Sequence, residues 1–130
     1  VVDQYWNLVG IVSEVGLNWS TVTTIVDSGT ELGGQISRTG GTAILEGDFA
    51  LMGQGRLKLS YLPDSAQLVS GDEVLTSGKG DVYPSGLVVG QVEGVFTDPS
   101  GMTRYAVVLP DVKLDSLVEV FVIKDFDIVE

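Results

Sequence analysis

Ile25 and Val26 run into Asp27-Ser28-Gly29, with Thr30 following. A strand that delivers an acid into a small hydroxyl residue and a glycine reads like the catalytic loop of a single-lobe, retroviral-type aspartic peptidase. Two further pieces of such a site follow in order. Met52-Gly53-Gln54-Gly55 could form a flexible flap, and Val88-Val89-Gly90 the apolar stretch behind the active loop. The mechanism needs two carboxylates about 3 Å apart sharing one proton, so a single Asp27 per chain demands a homodimer. The same tripeptide is also ordinary turn chemistry, because Asp accepts local backbone N–H bonds and Gly supplies positive φ. Asp27 is thus half of a proteolytic dyad or the end of a strand.

Other chemistries are bounded by composition. The 130 residues include no cysteine and no histidine. Disulfides, thiolate nucleophiles, Ser-His-Asp and Cys-His mechanisms, and zinc held by His or Cys all fall away. Ser70–Gly80 places Gly78 beside Lys79, but six residues separate Gly71 from Gly78 where a phosphate-binding loop needs four, and no helix follows. A Ser77–Lys79 dyad is the remaining formal alternative and is not expected. Asp111 with Asp115, or Asp125 with Asp127, could attract calcium, yet neither pair fits the D-x-[DN]-x-[DN]-G loop with its distal Glu. No metal or cofactor is expected. With 18 acidic residues against 7 basic and a net charge of −11, nucleic acid is a poor partner. That balance also counts against the small RNA-binding translation-factor barrels whose turn Gly71–Val82 resembles.

The elements that position these residues are short. Stretches 7–15, 19–26, 33–40, 42–47, 55–62, 72–77, 86–95, 104–110 and 118–126 are rich in Val, Ile, Leu and Thr, with Gly, Pro, Asp and Ser between them. This pattern predicts an all-β chain. In 55–62, Leu57, Leu59 and Tyr61 share one face opposite Lys58 and Ser60. A single helical turn is expected within 111–117. Leu8–Val15 and Val88–Val95 echo each other as apolar-Val-Gly-x-Val-x-x-Val. Either this is chance among Val-rich strands, or the two are neighbours in one barrel interrupted by a second unit. Tyr61-Leu62-Pro63, Tyr83-Pro84 and Phe96 load turns with aromatic and apolar groups, which either plug barrel ends or form a protein-binding face.

Taken together, 12–27, 36–48, 57–95 and 117–127 resemble the extracytoplasmic region of the rod shape-determining MreC family. The strongest part is Gly71-Asp72, Thr76-Ser77-Gly78, Gly80, Pro84, Gly86-Leu87 and Val89-Gly90, with Asp81 where a second glycine is common. The resemblance implies two small Greek-key barrel-like units of chymotrypsin-barrel topology without a triad, the second inserted in the first. They are expected at 1–22 plus 86–130, and at 23–85. It also implies a non-enzymatic scaffold on the extracytoplasmic face of the bacterial membrane, anchored by an N-terminal helix of the full-length protein. Such a scaffold self-associates and binds and activates the elongation-specific penicillin-binding transpeptidase, alongside MreD, RodZ and MreB. On this reading Asp27 opens the inserted unit, and Tyr61, Leu62, Tyr83 and Pro84 are the partner-binding candidates. The first unit starts late, so an open strand edge at Val1–Leu8 is expected to invite a second chain.

Overall fold

A computed structural model describes residues 1–62, 68–78, 83–97, 99, 104–117 and 119–124. Ten strands run in chain order. They are β1 (Val2–Asp3), β2 (Gly10–Val15), β3 (Ser20–Thr24), β4 (Glu31–Ile36), β5 (Thr42–Glu46), β6 (Leu57–Ser60), β7 (Glu73–Thr76), β8 (Val88–Thr97), β9 (Arg104–Pro110) and β10 (Val120–Phe121). A short helix α1 (Phe49–Met52) precedes β6, and a 3-10 turn at Leu114–Ser116 stands where the helical turn was expected. Six strands close a barrel in the order β4-β5-β6-β9-β8-β7, every neighbour antiparallel. Closure removes the free edges that would otherwise template aggregation.

Alternation fills the barrel. Leu57 and Leu59 are fully buried while Lys58 and Ser60 face outward, and the same period buries Leu32, Ile36, Leu45, Val74, Val92 and Val108. Burying each such side chain stabilises the fold by about 1.5–3 kcal/mol. Gly34 leaves room for the Leu45 side chain, since a Cβ there would lie 3.1 Å from Leu45 Cδ1. The alternation in 55–62 stops one residue early. Tyr61 takes a left-handed backbone (φ 59°) and stands 76% exposed, because β6 ends at Ser60 and the chain turns away.

The sheets divide the chain differently from the expected 1–22 plus 86–130 and 23–85. β7 and β8, on either side of the 85/86 boundary, are hydrogen-bonded neighbours in one barrel, and β3 spans the 22/23 boundary. Outside the barrel, β2 and β3 form one two-stranded ribbon, and β1 and β10 another. The edge expected to be open at Val1–Leu8 is occupied by the chain itself. Val2 pairs with Phe121 and Leu8, Leu8 N–H donates to Val88 O at 2.8 Å, and Val2 and Leu8 are buried. A Val2→Pro change would therefore damage this chain's own packing rather than remove an intermolecular strand.

The echo between 8–15 and 88–95 is geometric, although β2 and β8 lie in different sheets. At Gly10 a Cβ would run into the Thr23 carbonyl of β3, and at Gly90 into the Leu109 carbonyl of β9. A bulge follows in each, between Val12 and Glu14 and between Val92 and Gly94. Ile25 N–H donates to Val9 O at 2.9 Å, as Asp111 N–H does to Val89 O at 3.0 Å. The sequence repeat marks two equivalent hairpins: β2–β3 standing apart, and β8–β9 built into the barrel.

Candidate functional site

Asp27 sits in a turn that uses its side chain locally. Its Oδ1 accepts Gly29 N–H at 2.8 Å, its N–H donates to Thr24 O at 3.1 Å, and its carbonyl accepts Thr30 N–H at 3.0 Å. Thr30 Oγ1 adds a bond to Thr24 O at 3.0 Å. Gly47 packs against this turn so closely that any Cβ there would meet the Asp27 carbonyl. The expected flap 52–55 is the end of α1 and the turn after it, closed by Gly55 at φ 69°. Alternation does not reveal this helix: it is a single turn nucleated by Asp48, whose Oδ1 caps Ala50 and Leu51 N–H at 3.0 and 3.1 Å. Among the described residues no group of three or more His, Cys, Asp or Glu gathers as metal ligands. Asp111 is half-buried; burial, and then nearby Asp3, push its carboxyl above the usual range. The side chain of Asp115, and residues 125 and 127, lie outside the described residues.

The segment that carries the resemblance is a clamp. Asp72, almost wholly buried, takes a two-pronged ion pair from Arg38 at 2.8 and 3.0 Å and also accepts Val69 N–H at 3.0 Å. The hydrogen bond from Arg38 holds its carboxyl below the usual range. Thr76 is fully buried, donating its hydroxyl to Pro84 O at 2.5 Å and accepting Leu87 N–H at 3.0 Å. Gly86 N–H returns to Thr76 O at 2.9 Å, and Thr76 N–H to Leu87 O at 2.9 Å. Gly71, Gly78 and Gly86 all take positive φ, and Ser77 N–H binds Gly33 O at 3.0 Å. These motif positions fix turns and a close strand approach. Lys79, Gly80 and Asp81 lie outside the described residues.

Of the partner-binding candidates, Tyr61 alone stands in solvent. Leu62 and Tyr83 are half-buried against the core, and burial pushes the Tyr83 phenol above its usual range. Pro84 is half-buried beside Thr76. Pro63 lies outside the described residues. Phe96 ends up on the barrel exterior, 49% exposed and stacked on Tyr105 with ring centroids 5.7 Å apart. The Lys58 ammonium lies 5.1 Å from the Tyr105 ring centroid, a pairing that no local sequence pattern indicates. The alternation that buries Ala106 and Leu57 turns both outward, but their meeting depends on the β6–β9 register.

The fold and this segment define a small closed antiparallel barrel whose distinctive residues hold turns and seat strands. Residues 1–124 match the family model for rod shape-determining protein MreC, barrel core. The chain belongs to the MreC family of cell shape-determining proteins. It is 29% identical over 130 aligned residues to the cell shape-determining protein MreC of Geobacillus stearothermophilus, covering 95% of this chain and 45% of that relative. The chain thus spans under half the length of the relative it matches. The crystal structure of MreC from Pseudomonas aeruginosa superposes with a TM-score of 0.79 at 28% identity, covering 89% of this chain and 72% of that one. A likeness of fold extends to a structure of a complex between penicillin-binding protein PBP2 and MreC from Helicobacter pylori (TM-score 0.64, 20% identity, 83% of this chain and 64% of that one).

Proposed function

We propose that this chain is the barrel portion of an extracytoplasmic scaffold of the bacterial cell-elongation machinery, working by contact and without a catalytic step or cofactor. The observation that carries this reading is the family match over residues 1–124. The complex of penicillin-binding protein PBP2 with MreC from Helicobacter pylori supports a penicillin-binding protein as the kind of partner; on our reading it is the elongation-specific transpeptidase. MreD, RodZ and MreB complete the expected assembly. The parent protein is held at the outer face of the membrane by an N-terminal helix and self-associates as a dimer or higher oligomer. Tyr61 is the exposed anchor for the partner, and half-buried Leu62, Tyr83 and Pro84 are the further candidates.

The test is binding of the cognate transpeptidase ectodomain to the immobilised chain. Tyr61→Ala should weaken binding by about tenfold, the scale of an aromatic anchor, whereas Asp27→Asn should bind like the wild type. The peptidase reading makes the opposite demand. Pepstatin-sensitive cleavage of an unfolded substrate at about pH 4 to 6, lost in Asp27→Asn, would overturn the scaffold reading.

A further inference from the structure

We propose that the free edge of β3 is a self-association surface, on which a second copy of this chain pairs antiparallel about a two-fold axis at Val22. The proposal rests on the self-association in the reading above. It adds the strand that carries it and the register of the pair.

Hydrogen bonding leaves one side of β3 open. From Trp19 to Ile25 the odd-numbered residues turn their backbone toward β2. Trp19 O accepts Gly16 N–H at 2.7 Å, Thr21 O accepts Ser13 Oγ–H at 3.3 Å, and Ile25 N–H donates to Val9 O at 2.9 Å. Strand alternation then sends the N–H and C=O of Ser20 and Val22 the other way, where no strand lies among the described residues. Thr24 O, on that side too, is taken by Asp27 N–H and Thr30 Oγ1, which ends the free stretch. Edges are commonly blunted by a charge, a proline or a bulge. β2 carries Glu14 and the bulge between Val12 and Glu14, whereas Ser20-Thr21-Val22-Thr23-Thr24 has no such guard.

The edge is complementary to itself. Thr21-Val22-Thr23 reads the same in both directions. Antiparallel pairing therefore sets Val22 against the partner's Val22, and Thr21 against the partner's Thr23, in an isologous interface. Cross-strand Thr pairs stabilise such a ladder. Val12 already stands opposite Val22, so a row of four valines would cross the joined four-stranded sheet. Val22 is 37% exposed in the single chain, and added strands supply the stability that a two-stranded ribbon lacks in water. Charge points to the same occupant. Between Gln4 and Val26 the one charged residue is Glu14, in a chain with 18 acidic and 7 basic residues. Two copies carrying −11 each meet least repulsion here, while an uncharged edge has nothing with which to select a charged segment of another protein.

The test is sedimentation equilibrium of the 130-residue chain, with single-cysteine variants beside it. A monomer–dimer equilibrium is expected, tightening as salt screens the charge. Val22→Lys guards the edge and should weaken the dimer at least about tenfold, with the circular dichroism of the wild type. Because the chain has no cysteine, one introduced thiol reports geometry. Val22→Cys should cross-link under mild oxidation, since Cα atoms of a hydrogen-bonded pair lie about 5.5 Å apart, within disulfide reach. Leu17→Cys, at the exposed turn, should not, because the two copies of that turn lie roughly 30 Å apart. A strict monomer at millimolar concentration and high salt, or a dimer indifferent to Val22→Lys, would overturn the proposal. So would a Val22→Cys chain that does not cross-link, or a Leu17→Cys chain that does so as readily. Transpeptidase binding is measured separately. Its loss counts against the partner named above and leaves the β3 dimer standing, while a monomer leaves transpeptidase binding untouched.

Discussion

Replacing Thr76 separates the role of its hydroxyl from that of its bulk. Thr76→Val keeps the volume and opens no cavity, but it leaves Leu87 N–H and the Pro84 carbonyl without the buried hydroxyl that joins them. An orphaned group costs about 1–3 kcal/mol when buried, and because Pro84 and Leu87 are only half-buried the pair should cost toward the low end, about 3 kcal/mol. Thr76→Ser keeps both bonds and removes one buried methyl, a loss of about 1 kcal/mol. The expected order of stability is wild type, Ser, then Val. Unfolding entropy of about 2.1 cal/mol/K per residue converts these figures into a Tm fall of roughly 11 °C for Val and roughly 4 °C for Ser. Urea unfolding at constant slope gives the free energies directly. A Val variant within about 0.5 kcal/mol of wild type, or a Ser variant worse than Val, would refute the claim that this hydroxyl holds the loop.

Asp72, its carboxyl held low by Arg38, contributes stability that is present above the unfolded carboxylate pKa and lost as pH falls through the folded value. The Tm advantage of wild type over Asp72→Asn should therefore shrink below about pH 4. Asp111 runs the other way: with its carboxyl raised by burial and Asp3, its contribution is full below the unfolded pKa and lost as pH rises. Asp111→Asn should be as stable as wild type or more so at neutral pH, with the difference closing on acidification. Gly90→Ala drives a methyl into the Leu109 carbonyl and should cost several-fold more in urea unfolding than Gly40→Ala, where φ is 73° but the space is open. At Gly40 the cost is about 1 kcal/mol of backbone strain.

Much of the barrel is legible in single residues. The Leu57-Lys58-Leu59-Ser60 alternation, the glycines at 71, 78, 86 and 90, and the turn chemistry of Asp27 each state a local geometry that the structure realises. What eludes the sequence is non-local. Nothing between Gly78 and Leu87 says that β7 and β8 pair across the expected boundary, because closure is decided by register among strands far apart in sequence. Tyr61 misleads for a different reason. A non-glycine residue at positive φ reverses the side-chain direction that alternation assigns it. The Lys58–Tyr105 contact joins residues 47 positions apart, and Val2 pairs with Phe121, which lies beyond any local pattern.

The paired hairpins make the protein its own control for amide exchange. β8–β9 is flanked by β7 and β6, so its inner amides should exchange only when the whole barrel opens. β2–β3 has the same entry glycine and the same bulge but no flanking strand among the described residues, and an isolated two-stranded ribbon is marginal in water. Its amides should exchange through local fraying from the Val15–Ser20 end, many-fold faster, in one sample and one spectrum. Because local geometry is shared, the ratio of the two protections isolates what barrel closure adds to a hairpin. Whatever ligand or neighbour settles on β2–β3 would announce itself by narrowing that ratio.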